Sequence, residues 1–127
     1  MDKMKYRTFT FPENPETFGI EAVMEPEYAV AEDGTISYTG MGPLCRIISG
    51  SGVFQGADAQ QNFNALSVIM ATAKVGELVH PVWGTMQACL TELVMKQESR
   101  ENFVAYSFVF READESGEIP RLPESKR

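Results

Sequence analysis

The chain has 127 residues, 43% of them hydrophobic and 23% charged, which is typical of one globular domain and excludes a chain that is disordered throughout. The net charge of −7 disfavours binding to nucleic acids or anionic lipids, since both need clusters of Lys and Arg. The two cysteines, Cys45 and Cys89, are too few and too widely spaced for a disulfide framework or a zinc site. We interpret them as small buried hydrophobic residues.

The N-terminus leads from Met1 to Lys5 directly into polar and aromatic residues. Because no apolar segment follows, we expect no signal peptide. No apolar run reaches the length of a membrane span. We therefore expect a protein that is made and kept in a cytoplasm, or released by lysis.

Strand patterns dominate the first part of the chain. Tyr6 to Phe11 is rich in Thr and aromatic residues and predicts a strand that ends before Pro12. Residues from Ile20 to Val30 alternate between apolar and acidic side chains, which predicts one half-buried antiparallel strand. Its apolar side would carry Ile20, Ala22, Met24, Tyr28 and Val30. Pro26 lies inside this run and indicates an edge strand or a bulge.

Glycines punctuate the next segment. Asp33-Gly34 predicts a tight hairpin turn, with a return strand from Thr35 to Thr39. Leu44 to Ser49 predicts a further strand. Three glycines between residues 50 and 56 then indicate a bulged, bent strand end.

One helix is predicted, from about Asp58 to Lys74. Asp58 is a suitable N-cap, Gln61 completes a pattern like a capping box, and Gly76 is a suitable end signal. One apolar stripe at helical spacing faces the predicted core: Phe63, Leu66, Met70 and Ala73.

Two long strands follow a short extended piece, Glu77 to His80, and a turn. They are predicted over Met86 to Glu98 and Phe103 to Arg111. In the second of them one face is apolar: Val104, Tyr106, Phe108 and Phe110. The fold class predicted from this order is α+β, a rolled, mainly antiparallel sheet with one main helix.

The predicted domain covers residues 1–112, and residues 113–127 are predicted to form a flexible C-terminal arm. The arm is rich in Glu, Ser, Gly and Pro, so it cannot bury enough apolar area to offset its ordering entropy. Its apolar residues suit an extended contact with a partner protein: Ile119, Pro120, Leu122 and Pro123.

Candidate chemistry is sparse. His80 is the only histidine, and a catalytic base needs an oriented partner and a nucleophile. We interpret it as a structural residue at the turn before Pro81. The alternative is a stand-alone ligand-binding or hydrolytic domain that uses His80 and nearby carboxylates, and a deep polar pocket at His80 would favour that alternative.

Two further sequence patterns are candidates for a functional site. An acidic stretch could supply a glycosidase pair or a metal cage, but alternation places it on a solvated strand face or an interface rim: Glu21, Glu25, Glu27, Glu32 and Asp33. The glycines at positions 50 and 52 precede a helix but lack the Lys of a phosphate-binding loop. We interpret them as residues that permit a bend and close backbone packing. We assign no catalytic, cofactor-binding or metal-binding residue.

Four short motifs, in this order, resemble a known family. They are Phe9-x-Phe11-Pro12-x-Asn14-Pro15, Gly50-x-Gly52-x-Phe54-x-Gly56, Gly76-x-Leu78-x-His80-Pro81-x-x-Gly84, and the aromatic strand from Tyr106 to Glu112. The chain resembles small tail or baseplate proteins of contractile phages and phage-derived tail particles. It is also similar to the N-terminal domain of the DNA-circularisation proteins of Mu-like phages, which are tail components despite that name.

The resemblance implies a tail-tube-like split barrel, arranged as a ring of copies around the tail axis with six-fold symmetry. Its partners would be copies of itself and other tail tube, baseplate or hub proteins, within a virion or tail-like particle assembled in the bacterial cytoplasm. The glycine and His-Pro motifs would then shape the fold and not catalyse. The expected function is a non-enzymatic structural subunit at the junction of tube and baseplate, without direct gripping of nucleic acid and without a membrane.

Overall fold

The computed structural model describes residues 2–24, 26–41, 45–72, 75–96 and 101–113. Those residues form nine strands and one helix. In chain order they are β1 (Lys5–Tyr6), β2 (Phe9–Thr10), β3 (Thr17–Val23), β4 (Pro26–Val30), β5 (Ile36–Met41), β6 (Cys45–Gln55), α1 (Ala59–Thr72), β7 (Gly76–His80), β8 (Gly84–Lys96) and β9 (Phe103–Glu112).

Seven strands form one antiparallel sheet in the order β2-β1-β7-β8-β9-β6-β3. Strands β4 and β5 form a separate two-stranded sheet. The pairing of β8 with β9 is interrupted by a register shift between Leu90 and Glu92, and such a bulge increases the local bend of a strand. The predicted fold class, a rolled and mainly antiparallel sheet with one main helix, is confirmed.

The core lies where aromatic rings from distant strands of the sheet meet. Every second residue of β9 is buried, as the alternation predicted: Val104, Tyr106, Phe108 and Phe110. The Tyr6 ring from β1 lies edge-on to Phe110, with 4.8 Å between centroids. Phe11 packs against Phe54 of β6 at 6.3 Å and against Phe108 at 6.2 Å. These contacts fold the N-terminal hairpin over the opposite half of the sheet.

The helix α1 adds the remaining side of this core. The backbone carbonyl of Asp58 accepts a bond from Asn62 N–H at 2.9 Å, so the helix begins where the sequence placed its cap. Its inward residues are buried or packed on the core: Ala59, Phe63, Leu66, Ile69 and Met70. The predicted end at Lys74 lies outside the described residues. Gly76 does not follow the helix as a cap, because it is the first residue of β7.

The predicted strand from Tyr6 to Phe11 is wrong in one respect. It is a tight hairpin, with Tyr6 opposite Phe9 and the turn at Arg7, whose φ is 55°. Arg7 N–H donates to the Glu77 carbonyl at 2.9 Å, which ties the turn to the neighbouring strand. This contact is remote in sequence and therefore absent from the local pattern.

The predicted strand from Ile20 to Val30 is likewise two strands in different sheets. β3 pairs with β6 and ends at Val23, whereas β4 pairs with β5 and begins at Pro26. An edge strand or a bulge was predicted at Pro26, and among the described strands β4 is an edge strand, because it pairs only with β5. Pro26 is the first residue of that strand, where proline is tolerated. A bulge does follow it, between Glu27 and Tyr28. The turn at Gly34, with φ of 89°, is confirmed as the hairpin between β4 and β5.

A bulged, bent strand end was predicted at Gly50 and Gly52, but the strand does not end there. β6 continues through them as an 11-residue strand. A Cβ on Gly50 would lie 2.6 Å from Phe108 Cζ, and one on Gly52 would lie 2.8 Å from the Tyr106 hydroxyl oxygen. The glycines are therefore needed for the close approach of aromatic rings from β9. The strand ends at Gln55, and Gly56 follows it with φ of 96°.

Candidate assembly surfaces

The His80 side chain is 2% exposed and organises the turn between β7 and β8. Its Nδ1 atom accepts the backbone N–H groups of Val82, at 3.1 Å, and Trp83, at 3.3 Å. Burial lowers the pKa of His80 from its ordinary value, which favours the neutral ring. Because Nδ1 accepts two N–H groups, a neutral ring carries its proton on Nε2, which is buried without a hydrogen-bond partner among the described residues. The basic nitrogen is thus occupied by the backbone of its own turn.

Aromatic rings complete the surroundings of His80. The Trp83 ring stacks on it with 4.2 Å between centroids. Phe18 of β3 lies edge-on to both rings, 4.8 Å from His80 and 5.5 Å from Trp83. This cluster brings the turn between β7 and β8 into contact with β3, an edge strand of the same sheet.

The N-terminal motif contributes packing and one hydrogen-bonded corner. Asn14 accepts the N–H of Met4 at 2.8 Å and donates to the Asp2 carbonyl at 2.9 Å. Phe9 and Phe11 lie edge-on to each other at 5.0 Å and both approach the Phe54 ring.

The Phe9 to Pro15 motif and the Gly50 to Gly56 motif are in contact. Pro15 is buried beside Gly52, where an added Cβ would lie 3.0 Å from the Pro15 Cα. Pro12 is exposed.

The Gly76 to Gly84 motif forms β7 and its turn. A Cβ on Gly76 would collide with the Arg7 side chain. The structural roles proposed for these residues remain proposals. The proposed arm contacts fall outside the described residues: Ile119, Pro120, Leu122 and Pro123.

The acidic stretch does not converge on one site. Glu21 is exposed on β3, while Glu32 and Asp33 are exposed at the turn between β4 and β5. Asp33 accepts the N–H of Thr35 at 2.9 Å, and this bond lowers the pKa of Asp33. Glu25 and the side chain of Glu27 lie outside the described part. Within the described ranges, no group of three or more His, Cys, Asp or Glu side chains could hold a metal ion.

The structure has two long open strand edges that the sequence did not predict. Among the described strands, β3 is the last of its sheet and has only β6 beside it. β8 pairs with β7 only as far as Ala88, so the stretch from Cys89 to Lys96 has only β9 beside it. Exposed residues dominate both edges, including Val94 at 41% and Met95 at 48%. Such edges can accept strands from another chain.

Apolar exposure is concentrated elsewhere, on the hairpin of β4 and β5. Tyr28 and Val30 are each 61% exposed and Ile36 is 54% exposed. Val30 lies opposite Ile36, and Tyr28 is two residues from Val30, so the three side chains share one face. We call these three residues the hairpin face. The sequence pattern alone predicted that Tyr28 and Val30 lie on the apolar side of a half-buried strand.

The outward side of α1 is the third surface. The helix carries no charged residue in its 14 positions. Its exposed residues are Gln60, Gln61, Asn64, Ala65, Val68, Ala71 and Thr72. Gln61, Ala65, Val68 and Thr72 follow each other at steps of three or four and form one stripe, which we call the helix face.

No helix within the described ranges is long and apolar enough to cross a membrane.

Comparison with known proteins places this geometry in context. The model of the family described as DNA circularisation protein N-terminus matches residues 6–88. No curated protein matches the chain in sequence. A chain in the virion of the native gene transfer agent (GTA) particle matches with a TM-score of 0.58 and 19% identity, over 87% of this chain and 89% of that one. A chain in the tail of the empty GTA particle, of C6 symmetry, matches with a TM-score of 0.49 and 19% identity, over 78% of this chain and 77% of that one.

The likeness to the GTA virion chain shows a shared fold, and the family match covers more than half of the sequence. The matched residues 6–88 include the Phe-Pro, glycine and His-Pro motifs on which the resemblance was based. The predicted resemblance to the DNA-circularisation proteins and to a protein of a phage-tail-like particle is confirmed. The chain belongs to the DNA circularisation protein N-terminus family.

Proposed function

We propose that the protein is a structural subunit of a phage-tail-like particle and acts by packing against copies of itself and against neighbouring tail proteins. It would form a ring at the junction of the tail tube and the baseplate. Family membership supports this proposal, as does the fold shared with a chain of the GTA virion. The observation that carries it is the pair of open strand edges on β3 and β8.

The two edges are complementary in direction. Strands β8, β9, β6 and β3 are neighbours in this order and each pair is antiparallel, so β3 runs antiparallel to β8. A neighbouring copy that places its β3 beside the stretch from Cys89 to Lys96 therefore continues the antiparallel order. The same contact can repeat from copy to copy and closes into a ring when the rotation per copy divides a full turn. Six copies are the number expected from the resemblance.

The edges carry few of the features that prevent pairing. β3 contains no proline and one charged residue, Glu21. The open stretch of β8 has the register shift between Leu90 and Glu92 near its start. Beyond that shift it carries Glu92 and Lys96, with apolar residues between them. Natural edge strands that must stay single are commonly short, bulged or strongly charged.

The surroundings of His80 disfavour the alternative, a hydrolytic or ligand-binding domain that uses this residue. The Nδ1 atom of His80 already accepts two backbone N–H groups, and the side chain is 2% exposed.

The test is a charge placed on the edge. Val94→Lys should reduce incorporation into assembled particles by about tenfold, because a desolvated Lys opposes strand pairing. Val82→Lys is the matched control, since Val82 is 52% exposed at the turn between β7 and β8 and away from both edges. Incorporation is measured by quantitative immunoblotting of purified particles. Equal incorporation of both variants would contradict the edge-to-edge ring.

A further inference from the structure

The hairpin face needs a cover. A two-stranded hairpin is marginally stable by itself in water, and here it also exposes Tyr28, Val30 and Ile36 by more than half. The hairpin is not hydrogen-bonded into the larger sheet in the described part of the chain. Contiguous apolar surface of this kind marks a site of protein–protein contact.

The net charge of the chain restricts which surface of a second copy can bind the hairpin face. Each copy carries a net charge of −7, so two copies attract only where their contact surfaces are neutral or apolar. The acidic residues Glu32 and Asp33 lie at the hairpin turn, beyond the hairpin face. A suitable partner surface must therefore lack carboxylates opposite Tyr28, Val30 and Ile36.

The helix face has this composition. The chain contains 18 acidic and 11 basic residues, yet α1 has none in 14 positions. Val68 is 60% exposed, and the short side chain of Ala65 lies next to it on the stripe. Short side chains between longer ones leave a shallow depression on a helix, into which bulky apolar residues can pack.

We propose that the hairpin face of one copy docks on the helix face of a second copy. This inference rests on the proposed function, because it needs copies held near one another in a particle. It adds a contact distinct from the strand edges: Val94 belongs to an edge, whereas Val30 and Val68 belong to the two docking faces. The two faces differ, so the contact is heterologous, and each copy offers one hairpin and one helix to different neighbours.

A charge-exchange experiment in the full-length chain tests the pairing. Val30→Lys and Val68→Asp should each reduce incorporation into particles by about tenfold, because each places one charge against an apolar surface. The double variant carries Lys and Asp at every contact and should recover to within about threefold of the unmodified protein. Both positions are exposed, and circular dichroism checks that each variant is folded. Ile36→Lys, combined with Val68→Asp in the same way, provides a second pair.

The control is Val30→Lys combined with Val82→Asp. Val82 is similarly exposed but lies on the turn after β7, so the pair should show no recovery. Equal recovery with Val82→Asp, or no recovery with Val68→Asp, would overturn the proposal. Recovery of Val30→Lys by Leu122→Asp alone would assign the hairpin face to the C-terminal segment and would also overturn it.

The outcome separates this inference from the proposed function. If Val30→Lys and Val68→Asp enter particles normally while Val94→Lys does not, the docking of hairpin on helix is wrong and the ring of strand edges stands. If the unmodified protein is absent from particles, the proposed function fails and this inference fails with it.

Discussion

The Phe108 ring occupies the space that a side chain at Gly50 would need. The two residues lie opposite each other on β9 and β6, and a Cβ on Gly50 would be 2.6 Å from Phe108 Cζ and 2.5 Å from the Thr17 carbonyl oxygen. A glycine at this position allows the aromatic core to approach the backbone of the sheet.

Gly50→Ala should therefore destabilise the fold by about 1–3 kcal/mol, the usual cost of an overpacked core. Gly19→Ala is the matched control, because Gly19 lies in the adjacent strand β3 and an added Cβ would have nothing within 4 Å. Urea unfolding of the two variants gives the comparison. Equal stabilities would show that the ring of Phe108 moves aside without cost.

Two buried tyrosines should respond with opposite signs to loss of the hydroxyl. Tyr106 is fully buried, its hydroxyl has no hydrogen-bond partner among the described residues, and burial raises its pKa. Tyr6 donates to the Ala88 carbonyl at 3.2 Å and accepts Leu90 N–H at 3.4 Å. Tyr106→Phe should be neutral or stabilising, and Tyr6→Phe should cost about 1 kcal/mol. Thermal unfolding of both variants measures the difference, and destabilisation by Tyr106→Phe would contradict the expected sign.

His80 should make the fold sensitive to acid. Burial lowers its pKa in the folded state, so the unfolded chain binds the proton more readily. The contribution of His80 to the free energy of unfolding is constant above about pH 6.5, the ordinary pKa of histidine. Below that pH the free energy of unfolding falls, by at most about 1.4 kcal/mol per pH unit.

The comparison that isolates this residue uses His80→Asn, which keeps a side-chain acceptor near the Val82 and Trp83 amides. The difference in unfolding free energy between the unmodified protein and the variant should narrow from pH 7.5 to pH 5.5. A difference independent of pH would mean that His80 titrates equally in both states.

Removal of residues after Asp114 should leave the domain folded and reduce its incorporation into particles. The removed residues are poor in core-forming side chains but include Leu122 and Ile119, which suit contact with a partner. Circular dichroism checks the fold, and immunoblotting of particles measures incorporation. Loss of the folded state would instead include this segment in the domain, and unchanged incorporation would remove its assembly role.

Local patterns predicted the elements whose signals are contained in a few residues. The turn at Gly34, the helix start at Asp58 and the buried face of β9 all follow from such signals. The turn at Arg7 could not be predicted, because a bond to Glu77 stabilises it. Close backbone packing at Gly50 was predicted, but the ring that approaches it comes from β9 and could not be identified from the local pattern.

The candidate surfaces were less accessible to sequence reasoning. Open edges depend on strand order, and β8 has a free side only because β7 stops at the level of Ala88. Tyr28 and Val30 do lie on one side of a strand, as the alternation predicted. That strand belongs to a separate hairpin, so this side is exposed. The uncharged helix was visible in the sequence, yet its meaning depends on Val68 facing outward.

The position of the chain in an assembled particle tests the central claim most directly. Electron cryomicroscopy of a particle purified from cells that express the protein would locate it. We predict copies in a closed ring, with β3 of each copy hydrogen-bonded to the stretch from Cys89 to Lys96 of the next. The account would be contradicted by a fully assembled particle that lacks the protein, or by one that holds single copies outside any ring or tube.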